Sequence, residues 1–439
     1  MMESIPLRSA RPGIGDDFLV WVLEILLRPL QALMAVPALL FFAMLSTMLL
    51  RNQNIPFYEI DRVAFGLLVI VVVMRAMVLR QRLLVVERIT WPMLGLISLT
   101  LVSVIGQPFD SETWSLLASK FIVPFVLFHL AGLVFTGGKE FRQFEIFASL
   151  ALAYLSFIAI AFLLGARSLI FPRFILDESL GYHADRARGP FLQAVANGVS
   201  LNILGLVALH AYLRGSVRGL KTALLLASVP IAILATMTRT VWLSFLGAVV
   251  VLVLYSKNRA LQRASLGLAL VAVIGFGVLS SHELRVALSE RLEERGPVEF
   301  RAAVYAGSWH MFLERPLTGW GFHQMPAELP GYVSEYKDKI LYPHNTYLEL
   351  LVERGLLGLA LYLWLMWEMW RLGRGAIPAL EKNGFLDPRF HRLWPIVLAV
   401  YWINAALVVM SYQFVNALLF TMAGMLAAQR RRAEASPSC

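Results

Sequence analysis

The chain has 439 residues, 58% of them hydrophobic and only 15% charged, with a formal net charge of +10. A soluble protein of this length would carry about 25% charged residues, so the balance excludes a soluble enzyme and points to a polytopic helical membrane protein. The positive charge lies mostly in short loops, which reads as membrane topology and not as a nucleic-acid surface, and a single cysteine, Cys439, excludes an intrachain disulfide and a CxxC metal site.

In chain order, apolar stretches long enough to span a bilayer fall at 31–50, 63–79, 90–106, 116–135, 145–164, 196–213, 221–237, 241–256, 263–280, 346–370, 393–411 and 413–429. The first of these continues as an ordinary spanning segment, and no cleavable signal peptide is evident. The predicted fold class is therefore an all-α polytopic membrane protein of about 12 transmembrane helices. Basic clusters recur at every second exit: Arg80, Arg82 and Arg88; Lys139 and Arg142; Arg214, Arg218 and Lys221; Lys257, Arg259 and Arg263; Arg371, Arg374, Lys382, Arg389 and Arg392; and the tail Arg430 to Arg432. By the positive-inside rule both termini are cytoplasmic. Residues 1–280 then hold helices 1–9 with an outer loop at 165–195. Residues 281–345 form a large outer loop between helices 9 and 10, and 346–439 hold helices 10–12 and the tail. Within that large loop, Leu284 to Glu294 is charged and helix-forming. Phe300 to Phe312 predicts an amphipathic helix stopped near Glu314-Arg315-Pro316.

The stretch from Tyr342 to Gly358 is the most informative. Pro343 ends what precedes it, and Thr346 with Glu349 has capping-box spacing, so a helix should start near Asn345 or Thr346 and run to Trp370. His344 then sits just outside the positive end of a helix dipole, which attracts anions and disfavours imidazolium. A neutral base beside an anion site suggests chemistry on a lipid-linked phosphate. Asn345 and Tyr342 would position substrate, although Asn345 serves equally well as a helix cap.

Several arginines lie on the outer side against the positive-inside rule: Arg186 and Arg188 before Gly189-Pro190-Phe191, Arg239 between two spans, and Arg301 in the large loop. Their planar forks suit a pyrophosphate. The bland alternatives are a topology anchor for Arg239, headgroup contacts for Arg186 and Arg188, and a surface ion pair with Glu299 for Arg301. His183, His282, His310 and His323 read as surface or interface residues. Asp110-Ser111-Glu112 has spacing that would suit a divalent metal, but starting a helix is the simpler role. No Walker loop, dinucleotide fingerprint, zinc spacing or GxSxG is present. No metal or other cofactor is expected, and the energy for a reaction must come from an activated donor.

His344-Asn345 followed by Gly355-Leu356-Leu357-Gly358 resembles the signature of the O-antigen ligase and polymerase superfamily. Arg186-Ala-Arg-Gly189-Pro190-Phe191 with Asn197, Thr238-Arg239-Thr240-Val241-Trp242, and Arg301 to Trp309 with Arg315-Pro316-Leu317-Thr318-Gly319-Trp320-Gly321 resemble its other motifs. The resemblance spans about Arg186 to Gly358; the first five helices match in hydropathy alone. It implies a metal-independent, inverting, GT-C-like glycosyltransferase of the bacterial inner membrane with a periplasmic active site. The donor would be O-antigen on undecaprenyl pyrophosphate, and the acceptor lipid A-core. By the same resemblance His344 would be the base, and Arg186 or Arg188, Arg239 and Arg301 would hold the pyrophosphate, the gap to Gly189 favouring Arg186. An O-antigen polymerase and a protein O-oligosaccharyltransferase share the signature. A lipid-linked glycan transporter is the alternative from another class; it should show ionisable residues inside helices and broken helices in matched halves.

Overall fold

The computed structural model describes residues 28–29, 31–50, 60–83, 87–105, 107–181, 183–217, 219–255, 259–279, 296–333, 341–374 and 390–435. Among them every regular element is a helix. In order these are α1 (Pro37–Leu49), α2 (Ile60–Val78), α3 (Thr90–Val104), α4 (Ser111–Leu117), α5 (Val123–Val134), α6 (Gly138–Leu163) and α7 (Ala194–Arg214). There follow α8 (Leu220–Ala235), α9 (Arg239–Tyr255), α10 (Arg259–Leu279), α11 (Gly296–Glu314), α12 (Met325–Glu328), α13 (Thr346–Leu372), α14 (Phe390–Ala405) and α15 (Gln413–Ala435). Each predicted apolar stretch coincides with helix over most of its length, because long apolar runs leave the backbone no partner but itself. Four helices among the described residues are long and apolar enough to cross a membrane: Ser111–Val134, Gly138–Leu163, Ala194–Arg214 and Thr346–Leu372. Pro37–Leu49, Thr90–Val104, Leu220–Ala235 and Arg239–Leu254 are apolar but shorter.

α7 is almost wholly enclosed, with 94% of its apolar stretch buried. It packs against α6, α8 and α14. α15 lies along α5, where the backbones meet so closely that a Cβ on Gly424 would collide with the carbonyl oxygen of Phe128. Buried residues of these helices form one continuous apolar core.

Four departures from the predicted helices bear on function. The rod predicted at 116–135 begins at Ser111, because the Asp110 carboxylate caps it, accepting from the Thr113 N–H at 2.9 Å. Asp110 thus takes the helix-start role that its sequence allowed. Between α4 and α5 the rod winds through one π-turn, Ala118–Ile122, which contains Lys120. The stretch predicted at 393–411 leaves the helix after Ala405, and the segment that follows packs on the start of α13. Thr346 Oγ1 donates to the Val408 carbonyl at 2.9 Å and accepts from the Met410 N–H at 2.9 Å. Finally, α13 is not one uninterrupted helix: Gly355, at φ 63° and ψ −162°, breaks it.

In the large loop, the helix expected over Phe300 to Phe312 is present as α11 and ends at Glu314. Val304, Met311 and Phe312 pack with Met325, Leu329, Val333, Leu341 and Val352 in a small core of their own. Leu284 to Glu294, with His282, lies outside the described residues.

Candidate active site

The N-cap of α13 is Asn345. Its side-chain oxygen accepts from the N–H groups of Tyr347 at 2.9 Å and Leu348 at 3.1 Å. The Thr346–Glu349 capping box does not form. Thr346 is engaged by Val408 and Met410, and Glu349 turns to Lys120, 2.9 Å away. Asn345 is therefore occupied by the backbone. His344 precedes it in the left-handed region, at φ 45°, and is half-buried. Tyr305 of α11 donates its hydroxyl to the His344 carbonyl at 3.4 Å. Tyr342 is half-buried two residues upstream.

His344 is held below the ordinary histidine range. Burial is the largest cause, followed by the charges of Arg301 and His183. The direction agrees with the neutral ring expected from the sequence, but its largest cause is desolvation and not the helix dipole. The same field brings three chain segments together: the loop before α7 through His183, α11 through Arg301, and the start of α13. His183 is exposed, as expected from the sequence, and its charge also reaches His344. Nothing in its spacing marked it.

The paired arginines of the loop before α7 behave differently from each other. Arg188 is 1% exposed. Its guanidinium donates to the carbonyls of Ile175 at 3.0 Å, Leu180 and Asp177. All three arms are committed to backbone, so Arg188 braces the loop from within. Asn197 of α7 donates to the Ala187 carbonyl at 2.8 Å, and Ala187 N–H donates to the Ala235 carbonyl at 3.1 Å, fastening the loop to α7 and α8. A Cβ on Gly189 would meet the Asn197 side chain at 2.9 Å, which explains the glycine. Arg186 is half-buried, with Nε 3.7 Å from the Asp185 carboxylate.

Arg239 is the first residue of α9, at the same end of the bundle, and half-buried. Among the described residues no ion pair engages the guanidinium of Arg239 or Arg301; in particular Arg301 does not pair with Glu299. The structure thus brings Arg301 and His344 into mutual influence. Arg239 begins α9 four residues after Ala235, whose carbonyl holds the loop that carries Arg186.

Sequence reasoning missed the apparatus beneath His344. Where Gly355 breaks α13, the segment from Pro316 to Gly321 supplies the missing backbone partners. Trp320 N–H donates to the Val352 carbonyl and Gly321 N–H to the Glu353 carbonyl, both at 2.9 Å, and Leu356 N–H donates to the Pro316 carbonyl at 2.8 Å. Below this clasp lies a buried ionic group. Arg354, 2% exposed, donates to Thr100 of α3 at 2.9 Å and to Glu353 at 3.3 Å, and its guanidinium lies 4.7 Å from the Phe121 ring centre and 4.8 Å from that of Phe322. Glu353 accepts from the His323 N–H at 3.0 Å. Isolated ions inside a membrane helix are costly, so each is paired. The signal was available: Lys120, Glu349, Glu353 and Arg354 stood inside predicted spans.

Gly355→Ala should therefore destabilise the protein. The backbone region is essentially glycine-only, costing about 1–3 kcal/mol for another residue. A Cβ would also collide with the Leu317 carbonyl. Thermal unfolding in detergent should show a lowered midpoint; an unchanged midpoint would mean that the break is not held as described.

A search of the curated proteins gave no match. Residues 222–363 match the family model described as O-antigen ligase. That segment runs from α8 into α13 and contains Arg239, Arg301, His344 and both glycines of the break motif. On that segment, about a third of the chain, the protein is similar to the O-antigen ligases.

Proposed function

We propose that this protein is an O-antigen ligase of the bacterial inner membrane. It moves O-antigen polysaccharide from undecaprenyl pyrophosphate to a sugar hydroxyl of lipid A-core, on the periplasmic face of a bundle of about twelve spans with cytoplasmic termini. The observation that carries this reading is the half-buried His344 under the charge of Arg301. In the reaction the acceptor oxygen attacks the anomeric carbon and the bond from that carbon to the pyrophosphate oxygen breaks, with inversion. His344 takes the hydroxyl proton, and undecaprenyl pyrophosphate leaves with the electron pair. Arg301, Arg239 and Arg186 hold the charge that develops on it. Arg188 is assigned to the loop and not to the donor, because its arms are committed to carbonyls. Asn345 acts as helix cap, and Tyr342 positions substrate. Fixed guanidinium groups can neutralise a leaving pyrophosphate, so no metal is required by this scheme.

Transport is the weaker reading. α13 is broken and carries ions, as a transporter helix would. Its break, however, is filled by the protein's own backbone at Pro316 to Gly321 and not by a substrate cavity.

The test is transfer in a purified, reconstituted system. Given undecaprenyl-linked O-antigen as donor, the protein should glycosylate lipid A-core in preference to a second lipid-linked glycan. Chain extension of the lipid-linked glycan with lipid A-core untouched would make it a polymerase.

A further inference from the structure

A groove at the His344 end of the bundle, separate from the residues assigned above, lies between the α3–α4 connection and the segment 315–328. Its walls are fixed. Phe322, 1% exposed, wedges between them, and its N–H donates to Ser103 Oγ at 3.2 Å. Gln107 donates to the Ser103 carbonyl at 2.7 Å, and Gln324 donates to the Gln107 side-chain oxygen at 3.1 Å, bridging the two walls. Trp114 packs on one side against Val104, Leu117 and Phe322 and lines the groove with the other. Its indole N–H has no hydrogen-bond partner among the described residues. Arg315 lies 4.1 Å over the Trp320 ring, and Asp110 stands at the groove's edge.

This lining is aromatic and polar at once, and it carries both signs of charge. An alkyl chain could not use the hydrogen-bonding capacity that the Gln107 and Gln324 amides and the Asp110 carboxylate keep beyond their partners within the protein. A phosphate would meet Asp110. A pyranose ring fits both demands: its C–H face stacks on an indole, and its hydroxyls donate to and accept from planar amide and carboxylate groups. The clasp sets this groove against Val352 and Glu353, seven to eight residues along α13 from Asn345. At 1.5 Å per residue that is roughly 11 Å, the span of a few sugars.

We infer that the groove between Trp114 and Gln324 is a glycan subsite, holding sugar units remote from the bond being made. The inference rests on the reading of the protein as a glycan transferase. The sugars belong either to the donor polysaccharide or to the acceptor core, and two probes separate these: O-polysaccharide freed of undecaprenyl pyrophosphate, and core oligosaccharide freed of lipid A. Binding of each to the full-length protein in detergent would be followed by saturation-transfer NMR, for the wild type, Trp114→Ala and Gln324→Ala. One probe should bind the wild type, and each variant should weaken it by about 2- to 10-fold. KM for the substrate bearing that glycan should rise by the same factor, with kcat within about 2-fold. Gln324 is a half-exposed loop residue, so its variant keeps the test alive if Trp114→Ala does not fold. Failure of both probes to bind the wild type, or unchanged binding in the folded variants, would overturn the subsite. Probe binding by a protein that transfers no glycan would instead sink the functional reading and leave the groove standing.

Discussion

Replacing His344 by asparagine is expected to lower glycan transfer by about 10²–10⁴-fold, the usual contribution of a positioned general base. Asparagine is the informative substitution because His344 has φ 45°, a left-handed conformation that asparagine tolerates better than most residues. Alanine at this position would add backbone strain to the loss of the base. The variant should insert, fold and bind donor as the wild type does. Transfer near the wild-type level would remove His344 from the mechanism. The pH profile provides an independent check. Burial and the nearby charge of Arg301, with that of His183 where it is protonated, lower the pKa of His344, so the neutral base persists below the ordinary histidine value of about 6.5. Activity should therefore hold through neutral pH, and fall only as acid protonates the ring below that value. An acid limb centred above it would contradict the environment described.

Arg301→Gln carries the second large effect, and it acts in two ways. Loss of one fixed donor on a developing oxyanion should cost about 10²–10³-fold in kcat. Lysine should restore little where a bidentate fork is needed. Because the Arg301 charge helps to hold His344 neutral, its removal should also move the acid limb of the residual activity to higher pH. A purely structural arginine would not shift that limb. Arg239→Gln should show the first effect, whereas Arg188→Lys should lower stability before chemistry, since its three carbonyl partners belong to the loop.

Much of this arrangement was legible in the sequence, and the reason is local. Apolar runs of bilayer length have one way to satisfy their backbone, and Pro343 with Asn345 marks a helix start within four residues of chain. α11 could be read for the same reason, from its own apolar face and from Pro316 behind it. What remained hidden depends on segments distant in sequence. Gly355 stood inside the predicted span 346–370 as part of a Gly-x-x-Gly signature, and nothing local announced a break there. Its break is held by Pro316 to Gly321, more than thirty residues upstream. Lys120 and Glu349 lie in different spans, and only packing makes them a pair. Arg186 and Arg188 look alike in sequence; the carbonyls that occupy Arg188 come from a loop whose path no local rule gives. Thr346 and Glu349 had the right spacing for a capping box, but tertiary partners claimed both side chains.

The central claim is that a neutral imidazole and a set of guanidinium forks converge on one lipid-linked pyrophosphate. A structure of the full chain with undecaprenyl pyrophosphate bound tests it directly. The phosphates should lie within about 3 Å of the guanidinium groups of Arg301 and Arg239, with the ester oxygen turned toward His344. Phosphates held elsewhere, out of reach of both arginines and of the His344 ring, would contradict it.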